Sequence, residues 1–272
     1  MISEKSEIGN LELEGVVMLD AIQISATGMR AHETEINTIS HNVANISTVG
    51  FRRQIVAFNE LSADLAAATT DTDKTGAMDT YGAGSLATVL LSTTAGDLKQ
   101  TGEALNVAID GAGFLEVMRA DGSLAYTRAG TLAINDAGDL TTATGEVLNS
   151  HINVPAGATN LQITTDGQVL ATLDGQMTQL GKIELVSFAN PAALTPIGNN
   201  LYAATSNAGE LQAAFPGESG MGSLKQGYLE TSNVQMIDEM VALMIAQRGF
   251  EMNSRVVQVA DQVQSLTNGL IK

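Results

Sequence analysis

From Ile245 onward, apolar or small residues stand at Ile245, Gly249, Met252, Val256, Val259, Val263, Leu266 and Leu270. The steps alternate between four and three, the spacing of a coiled-coil seam. A second helical pattern lies at the opposite end. Leu19, Ile22, Ala26, Met29, Ile36, Ile39 and Val43 fall on one face of a helix that starts near Met18. Seams at both ends of a 272-residue chain cannot be closed by a short hairpin. They meet across everything between them, or they meet other copies of the chain.

The intervening sequence follows another rule. Short apolar runs at Leu105–Ile109, Phe114–Val117, Leu124–Thr127, Leu161–Thr164 and Lys182–Phe188 alternate with turn chemistry. Asp110-Gly111, Asp121-Gly122, Asp166-Gly167 and Asp174-Gly175 are tight-turn pairs. The reading is an α+β chain. Long N- and C-terminal helices form a coiled-coil-like terminal domain, and an antiparallel β domain is inserted between them. Residues 1–17 match no periodic pattern and read as a disordered or non-native extension, with translation expected to start at Met18. Residues 18–60 form a helical segment that pairs with the helix of 227–272. Residues 61–95, rich in Ala, Thr, Asp and Gly, read as a linker, and 96–226 as the β-rich middle. Residues 205–224 read as loop. Ser232 and Gln235 have capping-box spacing, so the last helix is expected to begin at Ser232 and to span roughly 55–60 Å. Gly50-Phe51 reads as a helix stop, with Arg52 and Arg53 placed to face a helix C-terminal dipole.

Charge separates the segments. The net charge is −17, and residues 54–224 carry 5 basic and 18 acidic side chains. Nucleic-acid binding needs clustered Lys and Arg, so it is disfavoured. The near-neutral ends suit packing against protein. Cysteine is absent, which removes disulfides, thiolate metal sites and thiol nucleophiles. Aromatic residues are 4% and Trp is absent, so Ala, Val, Leu, Ile and 11 Met carry the apolar content. That composition suits helix seams and thin sheets. No apolar run approaches the roughly 20 residues of a membrane span. The opening residues are acidic where a secretory signal is basic, so export would need another route.

Motifs for chemistry fail one by one. The run Asp71–Asp79 opens like a calcium loop, but Gly82 stands where the bidentate Glu belongs. Gly82-Ala-Gly84 and Gly111-Ala-Gly113 do not lead from a strand into a helix, as a dinucleotide fingerprint must. His32, His41 and His151 lack supporting carboxylate spacing, and the first two read as surface or seam residues. No catalytic residue, metal site or cofactor is expected.

Several segments together resemble the axial proteins of the bacterial flagellum, the rod and hook family. At the N-terminus the likeness rests on Leu19–Gly28 and on His41-Asn42-Val43-Ala44-Asn45-Ile46-Ser47-Thr48-Val49-Gly50-Phe51. At the C-terminus it rests on Gly227–Val234, including Ser232, Asn233 and Val234, and on Gln247-Arg248-Gly249-Phe250-Glu251-Met252-Asn253-Ser254 and Asp261. Gly96–Gly102, Leu105–Phe114 and Ala125–Gly130 match as well. Glu251–Ser254 and the length of the 54–98 stretch resemble the distal-rod branch, with the proximal rod as the alternative. His41 stands where Asn is usual, and Gly249 where Ala is common.

The resemblance implies a structural subunit of the basal-body rod. It implies export through the flagellar type III apparatus without a cleavable signal, and polymerisation into a helical tube that crosses the periplasm and transmits torque. The terminal helices would form an inner layer and the β domain would face outward. Implied partners are further copies, other rod proteins, the hook protein and outer ring proteins, without membrane insertion. A wall-acting enzyme with helical anchoring ends would need a constellation of His, Glu or Cys in the β segment, where only His151 offers itself. A β-domain adhesin would not explain the paired ends.

Overall fold

The computed structural model describes the backbone of residues 2–60 and 85–270, and side-chain burial for 22–58 and 87–266. The Asp71–Asp79 run and most of the expected linker lie outside the described residues. Helix α1 spans Ile2–Ala44 and helix α2 spans Met236–Leu270. Between them run β1 (Gln54–Glu60), β2 (Ser85–Leu91), β3 (Leu98–Gln100), β4 (Val107–Asp110), β5 (Phe114–Met118), β6 (Leu124–Thr127), β7 (Leu132–Ile134), β8 (Leu140–Thr142) and β9 (Val147–Leu148). They are followed by β10 (Thr159–Ile163), β11 (Gln168–Leu173), β12 (Gln176–Lys182), β13 (Leu185–Phe188), β14 (Thr195–Gly198), β15 (Leu201–Ala203), β16 (Leu211–Ala214), β17 (Ser223–Gln226) and β18 (Tyr228–Glu230). The chain divides into two compact units. One comprises Met1–His41, Ile55–Val89 and Ile237–Lys272; the other comprises Asn42–Gln54 and Leu90–Met236.

The first unit holds most of both helices and the β1–β2 ribbon. No proline interrupts either helix. Residues 2–17, expected as a patternless extension, continue α1. Helix α2 begins at Met236 rather than Ser232, with Asp238 and Glu239 in its first turn, where acidic groups favour the helix dipole. Ser232 instead closes a short turn, its Oγ accepting from the Val234 N–H at 3.3 Å. Residues 54–60, expected as helical, and 85–91, expected as linker, are the two paired strands of the ribbon. Both are β-branched or apolar at alternate positions, a weak signal in so short a run.

The two helices meet in opposite directions, with Gly28 against Asn253 and His32 against Gly249. Ser25, Ala31, Thr38 and Ile39 are buried on α1, and Glu239, Ala246, Gly249 and Ala260 on α2. The buried positions of α2 include Gly249 of the expected seam, but otherwise fall one residue on from it, at Ala246 and Ala260, with Asn253 half-buried. Small residues allow close backbone approach, so they claim the inner face, and the larger apolar residues are left outside.

The second unit is antiparallel throughout. A nine-stranded sheet has the order β14-β15-β6-β5-β9-β8-β7, with β13 joining β5 to β16. A three-stranded sheet β10-β11-β12 and the pairs β4–β17 and β3–β18 complete it. Asp121-Gly122 turns β5 into β6, Asp166-Gly167 turns β10 into β11, and Asp174-Gly175 turns β11 into β12. Asp110-Gly111 makes no hairpin, because β4 pairs with β17, far along the chain. The expected run Lys182–Phe188 is divided: β12 ends at Lys182 and β13 starts at Leu185 in another sheet. The expected 205–224 loop contains β16 and the start of β17.

One core cluster gathers Val107, Ile109, Leu115, Val117, Leu140, Leu148, Val169, Ile183, Leu185 and Leu224, among others. A second gathers four of the scarce aromatics, Phe114, Tyr126, Phe188 and Tyr202. Their rings pack edge to face, with Tyr126 and Phe188 4.8 Å apart and Phe114 6.2 Å from both Phe188 and Tyr202. The few aromatics are concentrated in one place, so the β unit has a bulkier core than the 4% content suggested.

Candidate functional site: a buried arginine–glutamate junction

Of the segments that carry the family likeness, Asn42–Phe51, Gly96–Gly102, Leu105–Phe114, Ala125–Gly130 and Gly227–Val234 lie in the second unit. After α1 the chain turns through Asn45 and Thr48. The Asn45 N–H donates to the Asn42 carbonyl at 3.1 Å, and the Thr48 hydroxyl donates to the Asn45 side chain at 3.1 Å. Gly50 has φ +67°, and a Cβ there would lie 2.6 Å from the carbonyl carbon and oxygen of Arg128. Only glycine suits both the conformation and the space. The Gly50 N–H donates to the Glu230 carbonyl at 2.7 Å.

Glu230 is the centre. It stands on β18, 1% exposed. Its Oε1 lies 3.0 Å from Nη2 of Arg52 and accepts from the Gly96 N–H at 2.9 Å. Its Oε2 lies 2.7 Å from Nη2 of Arg128 and accepts from Arg128 Nε at 2.9 Å. Arg128 also donates to the carbonyls of Ile109, Gly111 and Gly113 at 3.2, 2.9 and 2.5 Å. Arg52 donates to the carbonyls of Thr93 and Thr94. Burial and the neighbouring Arg128 charge pull the Arg52 pKa below its usual value, and Glu230 opposes them. The Tyr202 hydroxyl accepts from the Arg52 N–H at 3.4 Å, and burial raises its pKa to about 12.

Three amides complete the junction. Asn42 bridges both backbone groups of Gln54, at 2.8 and 2.9 Å. Asn233 accepts from the Arg53 N–H at 2.6 Å and donates to the Thr94 carbonyl at 2.8 Å. Asn200 donates to the Val49 carbonyl at 2.8 Å. The result is a buried knot centred on charge-assisted bonds, in which Nε of Arg52 alone among the Arg52, Arg128 and Glu230 side-chain atoms has no hydrogen-bond partner. It has no open coordination position and no nucleophile beside a base. Its chemistry is fixation.

Of the motif residues, Asn42, Gly50, Phe51 and Val234 are buried here, and Asn45, Thr48, Ser232 and Asn233 are half-buried. Ala44 is exposed. Asn253 and Ser254 are half-buried on α2, where Gln247 and Arg248 are exposed. The expected dipole role of Arg52 gives way to its pairing with Glu230, because α1 has already ended at Ala44. The roles of Arg128 and Glu230 were missed. The available signal was a lone charge in each of the otherwise uncharged runs Ala125–Gly130 and Gly227–Val234.

The expected assembly residues lie on the helices. Ile22, Ala26, Met29, Ile36 and Val43 are half-buried, and Ile39 is buried. Gly249 is buried, whereas Ile245, Met252, Val256, Val259, Val263 and Leu266 are exposed. The side chains of Leu19 and Leu270 lie outside those described. Among the described residues no group of three or more His, Asp or Glu is placed to hold a metal ion.

Residues 22–52 match the family model described as flagella basal body rod protein. Residues 225–270 match the flagellar basal body rod FlgEFG protein C-terminal model, and 108–171 match the flagellar hook protein FlgE/F/G D1 domain. The flagellar basal-body rod protein FlgG of Caulobacter vibrioides is 37% identical, covering 93% of this chain and 99% of that protein. The chain belongs to the flagellar basal-body rod protein family. FlgG of Bacillus subtilis is 36% identical over 92% of this chain and 99% of its own length, and FlgG of Borreliella burgdorferi is 34% identical over 93% and 99%. The rod protein is therefore a structural component of the flagellar basal body and not an enzyme. No helix among its described residues is long and apolar enough to cross a membrane. The N- and C-terminal family regions end and begin in the junction, which ties Gly50–Arg53 to Glu230 and Asn233.

Proposed function

We propose that this rod protein is a subunit of the distal rod, whose copies stack through their terminal helices into a tubular shaft that carries torque from motor to hook. The observation that carries this reading is the outer face of α2. Ile237, Leu266, Ile245 and Met252 are 78%, 69%, 63% and 63% exposed, and Met240, Val241, Met244, Val256, Val259 and Val263 continue the stripe. A soluble monomer rarely leaves so long an apolar face open. Burial of each such side chain is worth about 1.5–3 kcal/mol before ordering entropy is subtracted. Repeated in every subunit, such contacts make a stiff shaft without chemistry. Other rod proteins, the hook protein and the outer rings are its neighbours, and the type III export apparatus delivers it.

Val256→Asp and Val263→Asp place a charge where a neighbour's apolar surface is expected, which is costly without a partner. Each variant should remain soluble, keep the β unit folded by circular dichroism and fail to build rods in isolated basal bodies. Cells that swim normally on either variant would refute the assignment of this face.

A further inference from the structure

The contact between α1 and α2 has a reciprocal form. A Cβ added at Gly249 of α2 would lie 2.5 Å from Nε2 of His32 on α1. A Cβ added at Gly28 of α1 would lie 2.6 Å from Nδ2 of Asn253 on α2. Each helix thus offers one notch and one knob, four residues apart on the same face: Gly28 and His32 on α1, Gly249 and Asn253 on α2. Because the helices run in opposite directions, each knob enters the other's notch. A slide of α2 by one helical turn would withdraw both knobs and press them against residues that carry a Cβ.

The two halves differ in stiffness. The His32 ring cannot easily retreat from Gly249. Its Nδ1 is 3.1 Å from Oε2 of Glu35, and its ring centroid is 6.0 Å from that of Phe58 on β1. Asn253 ends in an amide whose last torsion is broad, so its tip can give way more easily than a ring. The His32–Gly249 half is the stricter one.

We propose that these four residues form a register lock that sets how far α2 slides along α1, and so fixes where the exposed stripe of α2 is presented to the next copy. The proposal rests on the assembly reading given above for the use of that stripe, but the lock itself stands on the contact geometry. It gives a reason for glycine at positions 28 and 249, inside helices that gain nothing from it. An interior glycine weakens a helix relative to alanine. On propensity alone, Gly249→Ala should stabilise the protein. The lock demands the opposite.

The chain has no cysteine, so an introduced pair reports register without background. Gly28→Cys combined with Asn253→Cys should close a disulfide on mild oxidation of the purified full chain, since the two positions are in contact. Gly28→Cys combined with Ala246→Cys or with Ala260→Cys should stay reduced. Adding Gly249→Ala to the closing pair should lower its yield about tenfold, the scale of coupling between residues in contact. Adding His32→Ala as well should restore it. In cells, Gly249→Ala alone should reduce intact basal bodies by a similar factor, and the double variant with His32→Ala should recover them.

Equal closure of the shifted cysteine pairs, or undiminished closure with Gly249→Ala, would overturn the lock. Loss and rescue of cross-linking with unchanged rod numbers would overturn its role in placing the stripe. The stripe itself is judged separately by Val256→Asp, which leaves the lock residues untouched.

Discussion

Glu230 carries one negative charge between two buried guanidiniums, and that imbalance decides what its removal does. Glu230→Ala would strand Arg52 and Arg128, both at most 5% exposed, beside each other. Breaking one partner out of a buried charged set costs about 3–5 kcal/mol. Urea unfolding of the full chain should show the unfolding free energy of the β unit falling by that amount, and a fall below about 1 kcal/mol, the scale of an exposed pair, would mean that the junction is not a support. Tyr202 adds a second reading of the same place. Its folded pKa of about 12 stands above the ordinary phenol value of about 10. The neutral phenol is favoured in the fold, so its contribution is complete below pH ~10 and is lost as pH rises toward ~12. Stability should drop across that window, and Tyr202→Phe should flatten the drop. At this scale the sequence displayed the motif residues but not their work. Asn42, Gly50 and Asn233 stood in recognisable runs, yet nothing local tells that Glu230 answers an arginine at position 52 and another at 128. Such partners are set by the return of the chain, which leaves no periodic mark.

At the scale of elements, periodicity read the helices well and their faces incompletely. The four-three alternation of α2 was plain, and it marked the larger apolar residues. Gly249 and Asn253 are the residues that meet α1, and Ala246 and Ala260 are buried on the same helix. Small and polar residues score poorly in any apolar count, so a close-approach seam is hard to see beside a bulky one. Asp-Gly turns were legible because the turn is a local device: one joins β5 to β6, both expected as strands, and another joins β11 to β12, which lie outside the expected apolar runs except at Lys182. β17 and β18 were not, since their partners are β4 and β3. The helices also predict where the molecule is weakest. Long stretches of α1 and α2 lie outside the β unit, whose compact region takes in 42–54 and 90–236. In dilute monomer, limited proteolysis should cut α1 before Asn42 and α2 beyond Met236 first, because ordering a lone apolar stripe recovers little of its entropy cost. The surviving core should keep Gly50–Arg53 and Gly227–Asn233. The same bonds should resist cleavage in assembled rods; equal protection in both states would contradict subunits whose ends are secured by assembly.

At the scale of the whole molecule, the Arg53–Asn233 hydrogen bond joins residues 180 positions apart, and the Gly50–Glu230 bond spans the same range of chain. Nearly all of the β unit's sequence lies between them. A unit closed in this way cannot be completed piecemeal. Until the stretch before α2 has arrived, Arg128 has no carboxylate, β3 and β4 have no partners and Gly50 has no carbonyl to meet; until the stretch after α1 has arrived, Glu230 lacks Arg52. Non-local closure of this kind is slow to form, because the cost of bringing distant segments together comes before any contact rewards it. On the type III export route proposed above, the delay is useful. A chain exported that way would stay pliant in transit, whichever end leads, and become rigid only once delivery is almost finished.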